Sequence, residues 1–162
     1  MKKKLWISVL ILGVAIAVFY SIVKFNPPLE IGTIASSGDR KSVVVGIGNK
    51  GLREIKVLDT SVNNNEAPLK TKVQVTNALQ GFIISNDYNN EESKEYGFKS
   101  LEDVSIKEGT SPSSNFKKLD AGTASKEDEI YGISVIHHEA INKVHLRYRY
   151  LGISFNETVF IN

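Results

Sequence analysis

The strongest candidate for metal or acid–base chemistry is the run His137-His138-Glu139. Histidine is a common zinc ligand, and a glutamate can act as a ligand or as a general base. Successive residues of a strand point to opposite faces, however, so neighbouring histidines do not readily bind one ion. No H-E-x-x-H pattern occurs, and the one further histidine is His145. We therefore prefer a polar strand end, and keep a metal-dependent enzyme at His137 or His138 as an alternative.

Oxygen-bearing side chains alternate over Asp87, Asn89 and Glu91, which is the spacing of ligands in a calcium loop. Such a loop needs glycine at its sixth position and glutamate at its twelfth, and Glu92 and Phe98 occupy these positions here. The run is therefore not an EF-hand. We expect a solvated acidic loop, in which Asp87 and Glu91 are the remaining candidate metal ligands.

His145, Arg147 and Arg149 recur at every second position, so on a strand they form a basic row on one face. Such a row could bind a phosphate, an anionic glycopolymer or an acidic partner, although a solvated sheet face is the commoner explanation. These three residues are the candidate ligand-binding residues. No catalytic residue is assigned and no cofactor is expected, because the nucleophile-elbow and P-loop patterns are absent.

These candidates must be positioned by β-structure. After Pro28, apolar residues alternate with polar ones between turn signals over much of the chain, which is typical of half-buried strands. No long amphipathic helix offers a crossover, so seven or eight short strands predict an all-β fold, a β-sandwich. The predicted strands cover residues 29–34, 42–48, 52–62, 71–76, 81–85, 130–136, 144–150 and 153–161, where 71–76 and 81–85 are either two strands or one strand broken near Asn77.

Two irregularities are predicted within these strands. The apolar face switches within residues 52–62, which indicates a bulge or a strand buried on both sides. A two-residue turn at Leu151-Gly152 would place Glu157 opposite Leu146 on an apolar face. We expect a bulge near Asn156 to relieve that contact.

The segment 86–128 is polar and has few apolar clusters. It predicts a short helix capped by Asn89 and closed by Gly97, a brief edge strand at 104–106, and open loop over 109–115. Connections this long inside compact domains are uncommon and tend to be functional or mobile. This segment and the sheet edges are therefore the expected contact surfaces.

The N-terminal segment predicts where the domain lies. Three lysines precede a long uncharged run that ends at a fourth lysine, and a helix over this run matches the roughly 30 Å bilayer core. The leading lysines predict a cytoplasmic N-terminus and an extracytoplasmic remainder, with cleavage at Ala15-Ile16-Ala17 as the signal-peptide alternative. The predicted anchor is marked by Lys2, Lys3, Lys4, Leu5, Trp6, Val23 and Lys24.

The chain therefore divides into three parts. Residues 1–24 are the cytoplasmic lysines and a transmembrane signal-anchor, residues 25–28 are a short stem with two prolines, and residues 29–162 are one extracytoplasmic domain. Without the four lysines beside the apolar run, 16 basic residues face 18 acidic ones. This near-neutral balance argues against nucleic acid as a partner. With no cysteine in the chain, neither disulfides nor a lipidated cysteine contribute.

The run Val43 to Gly51, followed by Ile55-Lys56-Val57-Leu58, resembles the strand–Asn-x-Gly–strand opening of bacterial immunoglobulin-like envelope domains. The order of anchor, short stem and small β domain is similar to that of small, uncharacterised membrane-anchored proteins of Gram-positive-type bacteria. This resemblance implies an immunoglobulin-like sandwich at the cell envelope, and it supplies no catalytic residues.

Together these patterns favour a non-enzymatic, single-pass protein of the cell membrane. Its extracytoplasmic domain is expected to bind an envelope or membrane protein, because the stem is too short for a long reach. A sensor or binding domain for a small anionic or wall-derived ligand, acting through Arg147 and Arg149, is the first alternative. The metal-dependent enzyme is the second.

Overall fold

The computed structural model describes residues 2–162, with side chains from Trp6 onward. The predicted roles of the Lys2, Lys3, Lys4 and Leu5 side chains lie outside the described residues. The first element is helix α1, Lys2–Phe25, whose Trp6–Phe25 portion is long and apolar enough to cross a membrane. A signal sequence would have the same property. Trp6 is exposed on this helix.

Eight strands and two further helices follow α1. The strands are β1 Leu29–Ser36, β2 Ser42–Asn49, β3 Lys56–Val62, β4 Lys70–Asn77, β5 Phe98–Lys99, β6 Glu129–Ile136, β7 Lys143–Tyr150 and β8 Ile153–Phe160. The helices are α2 Glu91–Lys94 and α3 Pro112–Asp120, with a 3₁₀ turn at Leu101–Asp103.

The strands form two antiparallel sheets. The first has the order β1-β2-β6-β4-β5, and the second has the order β3-β7-β8. Apolar side chains from both sheets belong to one core, including Val45 and Tyr131 from the first and Leu146 and Tyr148 from the second. The prediction of a mainly β domain behind one apolar helix is confirmed.

The last hairpin follows its predicted register in all but one respect. Leu151 and Gly152 both have positive φ, as a tight two-residue turn requires, and Leu146 pairs with Glu157. The predicted bulge near Asn156 is wrong, because the β7–β8 pairing is continuous. The reason is that β8 is an edge strand, where Glu157 is only half-buried and needs no backbone distortion. The bulge predicted in residues 52–62 does occur, between Val57 and Asp59.

The segment predicted as a strand over Gly81–Ser85 is not a strand. Its backbone instead pairs with a side chain: Gln74 on β4 accepts from the Ile83 N–H at 3.0 Å and donates to the Ile83 carbonyl at 2.7 Å. The amide group of glutamine mimics a peptide unit and satisfies these two groups. The segment therefore crosses the outer face of the first sheet without joining it.

The polar segment 86–128 is more structured than predicted. Asn90, one residue after the predicted cap, accepts from the Ser93 N–H and begins α2. The predicted strand near 104–106 is reduced to a single bridge between Ile106 and Ile55. The predicted open loop over 109–115 is wrong at its end, since Ser111 caps α3 and Pro112 occupies its first turn.

Candidate functional site

The outer face of the first sheet is covered, and glycines make the close cover possible. A Cβ on Gly132 of β6 would lie 2.9 Å from ring carbons of Phe82, and one on Gly46 of β2 would lie 3.0 Å from the same ring. These two glycines are direct partners across the sheet. The Phe82 ring therefore packs directly on the backbone of the two glycines. A side chain at either glycine position would occupy the space of the ring.

A second pair of glycines seats the start of α3. A Cβ on Gly48 would lie 2.1 Å from the Thr110 carbonyl oxygen, and one on Gly32 would lie 2.7 Å from the Pro112 ring. The Thr110 hydroxyl also accepts from the Asn49 N–H at 3.3 Å. The helix is thus pressed onto the sheet at its N-terminal end.

Between α3 and the Phe82 segment an apolar groove of about 390 Å³ remains. Its floor is the sheet, and its rim carries side chains that stay exposed, among them Phe116 at 48%. We call this space the α3 groove. The apolar side chains that line it are Ala35, Val44, Ile47, Ala78, Phe82, Ile83, Ile84, Pro112, Phe116, Leu119, Ile130 and Tyr131.

One polar group in the α3 groove has no partner. Asn115 on α3 is only 6% exposed, and its Nδ2 makes no hydrogen bond. Asn115 also lines the neighbouring polar cavity formed with Lys107 and Glu129. Its Nδ2 atom is itself buried, so this donor is unsatisfied within the fold and is not presented at the surface of the groove.

The charges beside Asn115 already neutralise one another. Glu129 accepts from Lys107 Nζ at 2.7 Å and from the Tyr131 hydroxyl at 2.8 Å. Partial burial alone would raise the pKa of Glu129, but these hydrogen bonds outweigh it and hold the pKa below its usual value. Burial raises the pKa of Tyr131. The α3 groove therefore offers hydrophobic contact rather than a free charge.

The two adjacent histidines differ in their surroundings. His137 is buried and its Nε2 lies 3.1 Å from Glu66 Oε2, while its Nδ1 has no partner. The ring centre of exposed His138 is 6.1 Å away. Within the described residues, no three His, Cys, Asp or Glu side chains come together in a way that could hold a metal ion. The described residues therefore give His137 one carboxylate partner, Glu66, but no group of three ligands.

The acidic candidates face lysines rather than each other. Asp87 lies 3.9 Å from Lys70 Nζ and also accepts from the Asn89 N–H, whereas Glu91 pairs with Lys94 on its own helix. The two carboxylates thus have separate partners.

The basic row lies on the outer face of the second sheet, as its alternation predicts. Arg147 lies 3.8 Å from Asp59, and both ring nitrogens of His145 are engaged, with the Thr158 hydroxyl and the Asn63 carbonyl. Arg149 is exposed opposite Lys56. The shallow cavity beside the row also includes Asp59 and Glu157, and these carboxylates would repel an anion.

The residues of the α3 groove were not found from the sequence. The available signals were the helix start Ser111-Pro112 and the alternation of Gly46 and Gly48. With Gly51, these glycines also reproduce the spacing G-x-G-x-x-G. In dinucleotide-binding folds this motif opens a helix, but here it ends strand β2 and no helix follows.

Comparison of the chain with protein-family models, with curated proteins and with solved structures finds no match. The resemblance to bacterial envelope domains therefore stays a prediction.

Proposed function

We propose that this protein is a membrane-anchored, non-enzymatic domain that binds an apolar segment of another membrane-associated protein in the α3 groove. The observation that carries the proposal is the groove itself, an apolar space with an exposed apolar rim. An apolar side chain would fill the space.

The rim favours a protein over a small molecule. A small ligand fills a pocket and leaves the surface around it unchanged. Here Ile84, Phe116 and Leu119 remain exposed around the groove, and only an occupant wider than the groove would cover them. Exposed apolar patches with polar surroundings are typical of protein interfaces.

The fold we propose is an immunoglobulin-like sandwich. Constant-type immunoglobulin domains have one sheet in the order A-B-E-D and a second in the order C-F-G. The order β1-β2-β6-β4 with β3-β7-β8 corresponds to this arrangement when β5 is taken as an added edge strand. In such domains, binding through an outer sheet face needs no catalytic group.

The position of the groove favours a partner in the same membrane. Gly46 and Gly48 lie near the end of β2, whose last residue, Asn49, pairs with Leu29 directly after the stem. The groove is therefore in the half of the domain that is nearer α1. With α1 as a signal-anchor and the leading lysines in the cytoplasm, this half faces the outer surface of the cell membrane.

Site-specific photo-crosslinking tests this function in intact cells. A photoreactive amino acid at Phe116, on the groove rim, should give one recurrent protein adduct. The same amino acid at Phe160, which is 60% exposed on the other sheet, serves as the matched control. Ala35→Phe, which places a ring in the groove, should abolish the Phe116 adduct. Equal adducts at both positions, or a Phe116 adduct that survives Ala35→Phe, would contradict the proposal, and a lipid adduct would replace the protein partner by a lipid.

A further inference from the structure

An apolar loop tip projects beside the end of α1. Leu52, between β2 and β3, is 85% exposed, and the hairpin residue Leu151 is exposed next to it. Phe25, the last residue of α1, is also exposed. Three large apolar side chains thus stand free at the end of the domain where the chain leaves the apolar helix.

The tip is held in place by hydrogen bonds. Asn49, fully buried, donates through Nδ2 to the Arg53 carbonyl at 2.7 Å and accepts through Oδ1 from the Gly51 N–H at 2.8 Å. The Leu52 N–H donates to the Tyr150 hydroxyl at 3.0 Å. Leu52 is therefore presented by a fixed loop, and its exposure is a property of the folded domain.

The same loop is tied to the stem. The Lys50 N–H donates to the Pro28 carbonyl at 3.0 Å, and a Cβ on Gly51 would lie 2.8 Å from the Pro28 ring. Val23 of α1 belongs to the core, and Lys24 Nζ lies 5.0 Å from the centre of the Phe155 ring. The end of α1 and the loop tip thus form one surface.

This surface is basic as well as apolar. Lys50 and Arg53 flank Leu52, and neither they nor Lys24 takes part in any ion pair among the described residues. The one carboxylate next to the loop in sequence, Glu54, interacts electrostatically with Lys107. The near-zero net charge of the domain therefore conceals a local positive surface at this end.

A cleft of about 470 Å³ separates α1 from the loop tip. Phe19, Ile22 and Val23 of α1 form one wall, and Leu52 and Leu151 form the other. Lys50 and Arg53 also line the cleft. An apolar cleft with cations at its edge matches a phospholipid, whose acyl chain is apolar and whose phosphate is anionic.

We propose that this surface seats the domain on the bilayer, with Leu52 and Leu151 in the acyl–headgroup boundary and Lys50 and Arg53 on the phosphates of anionic lipids. Apolar tips combined with cations at headgroup level are the usual basis of interfacial binding. This inference rests on the anchoring part of the proposed function. It does not depend on the α3 groove.

Fluorescent labels at single cysteines test this contact of the domain with the bilayer. Single labels can be placed because the chain has no cysteine of its own. The full-length protein carries Leu52→Cys or, as the matched control, Leu69→Cys. Leu69 is 50% exposed and lies directly before β4, at the end of the first sheet that is away from Asn49. Both are labelled with an environment-sensitive dye and reconstituted in phosphatidylcholine–phosphatidylglycerol vesicles. A quencher on the lipid headgroup should quench the Leu52 label severalfold more than the Leu69 label.

Charge reversal tests the role of the cations. Lys50→Glu with Arg53→Glu should bring quenching at Leu52 down towards the Leu69 level. Lys41→Glu with Lys143→Glu makes the same charge change on exposed residues at the opposite ends of β2 and β7, away from Asn49 and the 151–152 turn, and should leave quenching unchanged. Replacing phosphatidylglycerol by phosphatidylcholine should act like the first double variant. Equal effects of the two double variants would overturn the role of Lys50 and Arg53.

A third label distinguishes a loss of bilayer contact at Leu52 from a failure of α1 to insert in the bilayer. A Cβ at Gly13, within α1, meets no atom within 4 Å, so Gly13→Cys reports on α1 alone. If the Gly13 label is in lipid while the Leu52 label is quenched no more than the Leu69 label, the domain does not contact the bilayer through Leu52, although α1 is inserted in it. If the Gly13 label is in water, α1 is not inserted in the bilayer, and the proposed contact of the domain with the bilayer is also refuted. Neither result changes the outcome of crosslinking at Phe116.

Discussion

Adding one methyl group beneath Phe82 should destabilise the domain and displace Phe82, which lines the α3 groove. In Gly132→Ala the new Cβ would lie 2.9 Å from the Phe82 ring and 2.9 Å from Val44 Cγ2. Carbon atoms pack best at about 3.5–4.0 Å, so both neighbours must move. Val44 is β-branched and fully buried on β2, which leaves it little freedom to rotate. We therefore expect most of the movement at Phe82.

The cost can be estimated from known overpacking in cores. One extra methylene in a packed site costs about 1–3 kcal/mol. With a urea m-value of about 2 kcal/mol/M, a loss near the middle of this range lowers the unfolding midpoint by about 1 M. The control is Gly38→Ala, where a Cβ meets no atom within 4 Å. Gly38→Ala should leave the midpoint unchanged.

A double-mutant cycle assigns the cost to Phe82. In a Phe82→Ala background, Gly132→Ala should destabilise the protein less, with a coupling energy of about 1 kcal/mol. The destabilisation that remains in this background is the part caused by contact with Val44. Unfolding is followed by far-ultraviolet circular dichroism of the full-length protein in detergent. Tryptophan fluorescence is unsuitable, because Trp6, the only tryptophan, lies in α1. Additive costs, or a Gly132→Ala as neutral as Gly38→Ala, would refute the argument that Phe82 rests on bare backbone.

Three further outcomes follow from individual side chains. Asn49→Leu should cost about 2–4 kcal/mol and lower the melting temperature, because it leaves two backbone carbonyls without their donors; an unchanged melting temperature would contradict this. Burial, and next the charge of Glu157, raise the pKa of Tyr148 to about 12. Since this lies above the usual value of about 10, the contribution of Tyr148 to stability is complete below pH ~10 and is lost as the pH rises through 12. Tyr148→Phe should therefore reduce the fall in stability over that range, and an identical pH profile would count against it. Arg147→Ala with Arg149→Ala should change the free energy of unfolding by less than about 1 kcal/mol, as expected for exposed charges. The double variant should also leave unchanged any shift of the melting temperature caused by inorganic phosphate. Loss of such a shift would restore the anionic-ligand alternative.

The second sheet was the part of the fold most open to prediction. In β7 the buried residues Val144, Leu146, Tyr148 and Tyr150 alternate strictly with outward ones, because one face meets the core and the other meets water. Such a strand shows its period in the sequence. The turn at 151–152 then fixes the register of β8.

The first sheet carried less information, because both of its faces are covered. Every residue of β2 is buried, so alternation disappears and a strand over 42–49 says nothing about what lies outside it. The cover itself is held by interactions remote in sequence, such as Gln74 with Ile83. The pairing of Gly46 with Gly132, which creates the place for Phe82, depends on register between distant strands.

Helix α3 was missed because its composition is polar. In PSSNFKKLD only two large apolar residues, Phe116 and Leu119, could mark a face. Both remain partly exposed on the rim of the groove. Because these two residues bury little of their surface in the fold, α3 has little periodicity to detect.

The two proposed surfaces restrict each other. If the loop at 50–53 rests on the bilayer, the domain cannot tilt freely about Pro27-Pro28, because that loop is bonded to the stem. Gly46 precedes Asn49 by three residues, and at about 3.4 Å per residue this part of the groove floor lies about 10 Å from the row that contains Leu29. A partner must therefore present its apolar segment close to the membrane surface. A transmembrane protein with a short extracytoplasmic segment meets this condition, whereas a wall-bound or freely diffusing partner gains nothing from it.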